Sequence, residues 1–288
     1  MAAELHEDRE LFRASLAYTA ARTGFVARFV EKDDYCTVLL RHLAAQAPEL
    51  VFKGGTCLAK VHVGFYRMSE DLDFVIPVEL GCARSERSRR IANAKRVLGE
   101  IEAPGTGVRL ESPLAGANAS TQYAAVVEYS SVLGTRRETI KLEIGLREPL
   151  LLPAEPASAR TLLLDPLRGE SIPAFELSCI AALEGLAEKL RAALTRRVPA
   201  IRDFYDLDHA LRGGRLQPAD PALLGMLRSK LAMPGNAAVD VSTERLAALR
   251  RQVEAELRPV LREPDFSVFD LDRAFELLQG IAASIRMR

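Results

Sequence analysis

The chain has 288 residues, of which 48% are hydrophobic and 27% charged, the proportions of an ordinary soluble globular protein. No apolar run reaches the roughly 18 residues of a membrane-spanning helix, and the N-terminal segment MAAELHEDRELF is too acidic and polar for a secretory signal. We therefore expect a cytoplasmic protein with no membrane partner, and the formal net charge of zero excludes no other class of partner.

The N-terminal half of the sequence alternates between helical periodicity and short strand-like runs. We predict helices at 7–22, 31–46 and 84–102, and strands at 50–52, 71–76, 108–112, 123–130 and 139–146. The first strand stops at Gly54-Gly55, and Thr56 is a candidate N-cap for the helix that follows. The local order is therefore strand, glycine turn, helix.

A proline-rich segment separates this half from a helical one. Residues 149–173 contain five prolines and predict an irregular stretch with the domain boundary inside it. Beyond it we predict helices at 174–195, 202–211, 218–232, 242–262 and 270–286. We therefore expect an α+β protein, with a mixed sheet and flanking helices over 1–170 and a helical C-terminal domain over 171–288.

The four cysteines are scattered along the chain, and none forms a CxxC pair. Such spacing argues against a structural zinc site and against a disulfide framework. We expect Cys36, Cys57, Cys82 and Cys179 to be small buried or half-buried residues.

Two features with chemical potential lie close together in KGGTCLAKVHVGFYRMSEDLDF, residues 53–74. A glycine turn between strand and helix lets the backbone approach a ligand and leaves helical N–H groups for an anion, although such turns also occur for steric reasons alone. Asp71 and Asp73 alternate with Leu72 and Phe74, so on a strand both carboxylates point to one face, about 6–7 Å apart. The pair suits Mg²⁺ or Mn²⁺, or else it is a solvated strand face.

A third carboxylate, Glu143, shares the polar face of the strand IKLEI with Lys141. If this strand lies beside Asp71 and Asp73, the three acids form a two-metal site that activates an attacking hydroxyl and neutralises the leaving phosphate. A glycine turn for a triphosphate and an acid cluster for its metals make nucleotidyl transfer from a nucleoside triphosphate the most economical interpretation.

The same stretch resembles the AbiEii-type nucleotidyltransferase toxins of type IV toxin–antitoxin and abortive-infection systems. This family belongs to the DNA polymerase β-like nucleotidyltransferase superfamily. Its first motif, KGGT-x-L followed by R-x-S-x-D-[IL]-D, is met by residues 53–58 and 67–73, and VEKDDY at 30–35 resembles the family's helical lead-in. The short strand motif ending in Glu is met by KLE at 141–143.

Two further family motifs lie in the helical half. AEK-x-x-A is met by residues 187–192 and R-D-x-x-D-L by residues 202–207. The resemblance thus spans about residues 25–210 and leaves 211–288 without an assigned motif.

The resemblance implies a polymerase β-like sheet whose active-site cleft is completed by the helical domain. The catalytic residues would be Asp71, Asp73, Glu143, Lys189 and Asp206, with metal on Asp71, Asp73 and Glu143. The nucleotide-binding residues would be Lys53, Gly54, Gly55, Thr56, Arg67, Ser69, Lys189, Arg202 and Asp203.

Several of these residues have plainer interpretations that the sequence leaves open. Lys189 flanks the apolar stripe of its helix, where it either contacts the triphosphate or is an exposed charge paired with a nearby Glu. Asp203 either caps a helix or orients Arg202 or Lys189. Glu143 could act as the base for the acceptor hydroxyl instead of binding metal, and Arg67 and Ser69 could be turn residues.

The resemblance also implies the acceptor: RNA, namely the 3′ end of tRNA, whose modification stops translation. Basic runs at 84–96 and 189–202 are compatible with RNA, although each is also typical of a solvated helix face. The alternatives are a small-molecule or protein acceptor, or a nucleotide- or RNA-binding module without turnover. An antitoxin from an adjacent gene is implied, without necessarily contacting the toxin, and we expect a monomer.

Overall fold

The computed structural model describes residues 5–102 and 106–286. The chain forms two compact units, Met1–Ile180 and Ala181–Arg288. None of the helices in the described ranges is both long and apolar enough to span a bilayer.

The first unit is built on a seven-stranded mixed sheet. Its strands are β1 (Val51–Lys53), β2 (Leu72–Val75), β3 (Val108–Ala117), β4 (Gln122–Ser130), β5 (Arg137–Gly145), β6 (Glu155–Ala159) and β7 (Phe175–Cys179). They are ordered β3-β4-β5-β2-β1-β7-β6. β1 is antiparallel to β2 and parallel to β7, whereas β2 is parallel to β5. The short strands β1 and β2 therefore lie at the centre of the sheet.

The helices of the first unit are α1 (Arg9–Thr23), α2 (Ala27–Gln46), α3 (Gly54–Cys57), α4 (Arg84–Arg90) and α5 (Ala92–Gly99). α1 begins at Asp8, whose carboxylate accepts hydrogen bonds from the first-turn N–H groups of Glu10 and Leu11, and it ends at Gly24 in the left-handed conformation. α3 starts directly after β1 and continues as a π-helical segment, Leu58–Val63.

Buried charges fix α2 within the first unit. Lys60 is fully buried, and its ammonium lies 2.6 Å from an oxygen of Asp33. The other Asp33 oxygen accepts from the Leu162 N–H at 2.9 Å. Glu31 accepts from the Val132 N–H at 2.6 Å, and burial is the largest influence on this carboxyl and raises its pKa. The VEKDDY segment therefore ties α2 to two distant loops.

The second unit is helical in its described residues. It contains α6 (Ala182–Thr195), α7 (Ile201–Arg212), α8 (Pro221–Ala232), α9 (Thr243–Gln252), α10 (Glu263–Ser267) and α11 (Leu271–Arg286). Phe204 of α7 stacks on Phe275 of α11, with ring centroids 6.1 Å apart. Lys230 of α8 is fully buried against α6, 2.6 Å from Glu184 and 3.1 Å from Glu188. These contacts join α8 to α6 and α11 to α7.

The α+β class is confirmed, and so are most predicted elements, but the helix predicted over 174–195 was wrong in its first part. Residues 175–179 form β7, where buried Leu177 and Cys179 alternate with more exposed neighbours. This two-residue period is that of a strand. The first compact unit ends at Ile180 instead of residue 170, so β7 belongs to it. β6 also lies in the segment that we expected to be irregular.

Three helix predictions also need correction. Thr56 is not an N-cap, because it lies inside α3 and Lys53 holds the cap position. The helix predicted over 84–102 is interrupted at Ile91 and ends at Gly99. The helix predicted over 242–262 is α-helical only to Gln252, and it continues as a π-helical segment, Val253–Leu257, and a 3-10 turn, Arg258–Val260. α10 was not predicted.

Candidate functional site

The central strands bring two of the predicted acids side by side. Asp73 on β2 is the register partner of Glu143 on the parallel strand β5, which confirms the predicted adjacency of these strands. Leu72 and Phe74 are buried in the core, so Asp73 points to the opposite face of the sheet. Asp71 lies just before β2 and is exposed.

The glycine turn packs directly against these side chains. Gly54 has a φ of +78°, and a Cβ added there would lie 2.8 Å from the Asp73 Cβ and 2.9 Å from its Cγ. A Cβ at Gly55 would lie 2.5 Å from a guanidinium nitrogen of Arg67 and 3.2 Å from the Ser69 hydroxyl. Glycine is therefore required at 54, both sterically and by its backbone conformation, whereas a side chain at 55 would require the end of the Arg67 side chain to shift.

Thr56 links the glycine turn to the start of β2. Its buried hydroxyl donates to the Asp71 carbonyl at 2.5 Å and lies 2.8 Å from the Ser69 hydroxyl. Arg67 is buried as well, and it donates to the Met68 carbonyl at 3.0 Å. Thr56 thus acts on the position of Asp71, a contact that the sequence pattern did not indicate.

Glu143 is engaged by two residues that sequence reasoning did not assign to the site. Lys141 forms an ion pair with one of its oxygens, and Gln122 on β4 donates to the other at 3.3 Å. The hydrogen bond to Glu143 raises the pKa of Lys141. A signal for Lys141 was present, because it lies two residues before Glu143 on the same strand face; Gln122 had none.

The oxygen donors of Asp71, Asp73 and Glu143 are the kind that Mg²⁺ and Mn²⁺ bind. The ligand oxygens of the three carboxylates do not all lie within 4.8 Å of one another. Among the described residues, the only three metal-ligating side chains that are so close are Cys57, His62 and Cys179. Carboxylates repel one another unless a cation lies between them, and Glu143 is held by Lys141. The donor set fits a hard divalent cation once Glu143 leaves that partner.

The second unit brings together three of its predicted site residues. The Lys189 ammonium on α6 lies 2.8 Å from an oxygen of Asp203 and 2.8 Å from an oxygen of Asp206, both on α7. Both carboxylates are buried, and the Lys189 side chain is only 13% exposed. The expected contact from Asp203 to Lys189 is thus present, and the alternatives of a helix cap and of an exposed lysine are wrong. α7 is preceded by Ala200 as its N-cap, and Arg202 is half-buried.

Several cations of the two basic runs have acidic partners within their own units. On α4, Arg89 and Arg90 both contact Glu86. In the second run, Arg196 lies 3.3 Å from Asp203. Because these cations already have carboxylate partners, their number alone does not define a nucleic-acid surface.

Solved structures with a similar fold include a nucleotidyltransferase toxin. The nucleotidyltransferase toxin MenT4 from Mycobacterium tuberculosis H37Rv is 22% identical, with a TM-score of 0.57 over 94% of this chain and 98% of that one. JHP933 from Helicobacter pylori is 17% identical, with a TM-score of 0.52 over 91% and 93% of the two chains. At these identities the likeness defines the class of fold, that of the nucleotidyltransferases.

The sequence profile of the AbiEii nucleotidyltransferase toxins of type IV toxin–antitoxin systems matches residues 38–277. The chain belongs to this family, and it is a nucleotidyltransferase that uses a nucleoside triphosphate. No curated protein sequence gives a significant match.

Proposed function

We propose that this enzyme transfers a nucleoside monophosphate to RNA, at the 3′ end of tRNA, and that this modification blocks translation. Membership of a toxin family supports an acceptor whose loss stops growth. The cytoplasm is where tRNA and nucleoside triphosphates meet, so we place the reaction there. We further propose that the toxin is a monomer, restrained by an antitoxin that need not contact it.

The observation that carries this proposal is the packing of the glycine turn on the acidic strand. Gly54 leaves no room for a side chain beside Asp73, and Asp73 is paired in register with Glu143. A triphosphate at the α3 N–H groups would therefore have its reacting phosphate next to carboxylate oxygens. A glycine turn that served only the path of the chain would not require close contact with a carboxylate of the neighbouring strand.

We propose that Asp71 and Asp73 hold Mg²⁺ or Mn²⁺, with Glu143 as a third ligand. When bound, the ion neutralises phosphate charge and favours ionisation of the attacking hydroxyl. The Thr56 hydroxyl donates to the Asp71 carbonyl, so it restrains the backbone from which the Asp71 carboxylate extends. Without the ion, the Lys141 ammonium supplies the positive charge next to Glu143.

In the proposed reaction the acceptor hydroxyl oxygen forms a bond to the α-phosphorus, the bond from that phosphorus to the bridging oxygen breaks, and pyrophosphate leaves. The hydroxyl proton goes to a carboxylate, and Glu143 takes this role if it is not a metal ligand. Lys53, Gly54, Gly55, Arg67 and Ser69 would bind the triphosphate.

In the second unit, we propose that Lys189 supplies positive charge to the triphosphate. Asp203 and Asp206 hold its ammonium at a defined place, since each lies 2.8 Å from it. Asp206, which matches the family motif, would have the more direct catalytic role, and Arg202 would support nucleotide binding.

The acceptor is tested with each of the four α-labelled triphosphates, total cellular RNA and Mg²⁺. We expect label on tRNA, and we expect periodate oxidation of the tRNA 3′ end to abolish it. Asp73→Asn, run in parallel, should give no label. Label on protein or a small molecule would instead identify another acceptor. No label on any acceptor, with nucleotide still bound, would leave a binding module without turnover.

A further inference from the structure

A second cluster of chemically active side chains lies in the first unit, apart from the carboxylates. The ligand atoms of Cys57, His62 and Cys179 all lie within 4.8 Å of one another, the only such group in residues 5–102 and 106–286. The Cys179 sulfur lies 3.9 Å from the His62 Nε2. Residues more than a hundred positions apart in sequence thus converge.

The fold explains how these residues meet. β7 runs parallel to β1 with Cys179 opposite Phe52, and the Ile180 N–H donates to the Phe52 carbonyl at 2.9 Å. Cys57 lies in the first turn of α3, directly after β1. Because the end of β1 lies beside the end of β7, Cys57 is close to Cys179.

The π-helical segment after Cys57 places His62 in the cluster. In a regular α-helix, residues five apart lie about 140° apart around the axis, because each residue turns the chain by about 100°. The wider turn of a π-helix brings such residues closer to one face, and π segments are frequent at functional sites.

The ligand set and its spacing suit zinc. Two cysteines and one histidine are a known zinc set, and Zn–S and Zn–N bonds of about 2.3 and 2.1 Å place tetrahedral sulfur and nitrogen atoms about 3.6 Å apart. The observed 3.9 Å between Cys179 Sγ and His62 Nε2 is close to that value. Cys57 and Cys179 are buried, whereas His62 is half-buried and forms the open side of the cluster.

One existing contact must change when a metal binds. The His62 Nε2 lies 3.0 Å from the Ile180 carbonyl, which can accept its proton. Metal binding at Nε2 would move that proton to Nδ1, so the ring stays neutral, and the two thiol protons would leave to solvent as Cys57 and Cys179 bind as thiolates.

We propose that Cys57, His62 and Cys179 form a Zn²⁺ site, with water in the fourth position, that fastens α3 to the end of β7. Cys57 lies in the same helical turn as Gly54, Gly55 and Thr56, so an ion bound to Cys57 would also restrain the position of the glycine turn. This site reverses the expectation drawn from the cysteine spacing, because its ligands meet only in the fold. It is separate from the cation proposed at Asp71 and Asp73, and it does not depend on which acceptor the enzyme uses.

The test is direct metal binding by the whole chain, purified under reducing conditions. After equilibration with Zn²⁺ and gel filtration, elemental analysis should find about one zinc per chain, and Zn²⁺ should raise the melting temperature. Replacement by Co²⁺ should give the thiolate-to-cobalt absorption of a tetrahedral site, which requires no variant.

Variants assign the ligands. Cys179→Ser and His62→Gln should each reduce bound zinc from near one to near zero, and Cys82→Ser, at a half-buried thiol outside the cluster, should retain it. Wild-type protein with no zinc and no thiolate–cobalt absorption would overturn the proposal.

Discussion

Alanine at Gly54 is the substitution to which the candidate site should be most sensitive. Gly54 combines a left-handed backbone, with φ at +78°, and a close approach to Asp73. Any side chain there has to change the backbone angle, the acidic side chain or both. Gly81 offers a matched control, because its φ is +77° and a Cβ added there meets nothing within 4 Å.

The magnitude can be worked from these two positions. A non-glycine residue in the left-handed region costs about 1–2 kcal/mol, and this cost applies equally to Gly54→Ala and Gly81→Ala. Only Gly54→Ala adds a methyl group 2.8 Å from the Asp73 Cβ, which real Cβ contacts do not allow. Overpacking of this kind costs typically about 1–3 kcal/mol more. We therefore expect a total of about 2–5 kcal/mol for Gly54→Ala.

The assay pairs thermal unfolding with the rate of nucleotide transfer. Gly81→Ala should show a small stability loss and a wild-type transfer rate. Gly54→Ala should be less stable than Gly81→Ala and should lose transfer even at temperatures where it is folded, because Asp73 is displaced. If the two variants are equally stable and equally active, the contact between the glycine turn and Asp73 does not have the role assigned to it.

Three further predictions follow from buried contacts. Lys60→Met removes the cation beside buried Asp33 and should cost about 3–5 kcal/mol, read as a lower melting temperature. Burial raises the pKa of Glu31, so the folded state favours its protonated form. The stability that this preference contributes is fully present below the ordinary pKa of the carboxyl, and it is lost as the pH rises through the raised pKa. As the pH rises from the ordinary to the raised pKa of Glu31, the melting temperature of Glu31→Gln should therefore increase relative to that of the wild type. Thr56→Val removes the bond to the Asp71 carbonyl and should slow transfer, with a stability loss of about 1–3 kcal/mol.

Each of these predictions has a control. Lys95→Met, at an exposed position of α5 whose ammonium lies 5.2 Å from the centre of the Tyr123 ring, should cost no more than about 1 kcal/mol, and an equal effect of Lys60→Met would refute the buried pair. A Glu31→Gln melting profile parallel to wild type at every pH would contradict the raised pKa. Thr56→Ser, which keeps the hydroxyl, should restore transfer, and failure to do so would remove its role in positioning.

The sequence was most informative where pattern and chemistry agree over a short range. Strand, glycine turn and helix around Gly54 follow from local apolar runs, and the alternation of Asp73 with buried Leu72 and Phe74 predicted its orientation correctly. The neighbouring position of Glu143 could also be anticipated, because its strand carries the same kind of polar face.

What the sequence could not show depends on contacts between distant segments. β7 was mistaken for helix, since five residues of FELSC are too few to establish a period before a long helical pattern. For the same reason nothing indicated that Cys179 returns beside Cys57. The buried pair of Lys60 and Asp33 was equally hidden, because a charged residue gives no sign in sequence that its partner will be buried with it.

In the proposed mechanism, the carboxylates beside the glycine turn carry out nucleotide transfer. The most direct measurement is the single-turnover transfer rate of Asp73→Asn beside that of Glu111→Gln, an exposed carboxylate on β3. With folding verified by melting temperature, Asp73→Asn should be slower by at least about 100-fold, the scale expected when electrostatic stabilisation of a transition state is lost. Glu111→Gln should match wild type. A folded Asp73→Asn enzyme that transfers nucleotide at the wild-type rate would contradict the account.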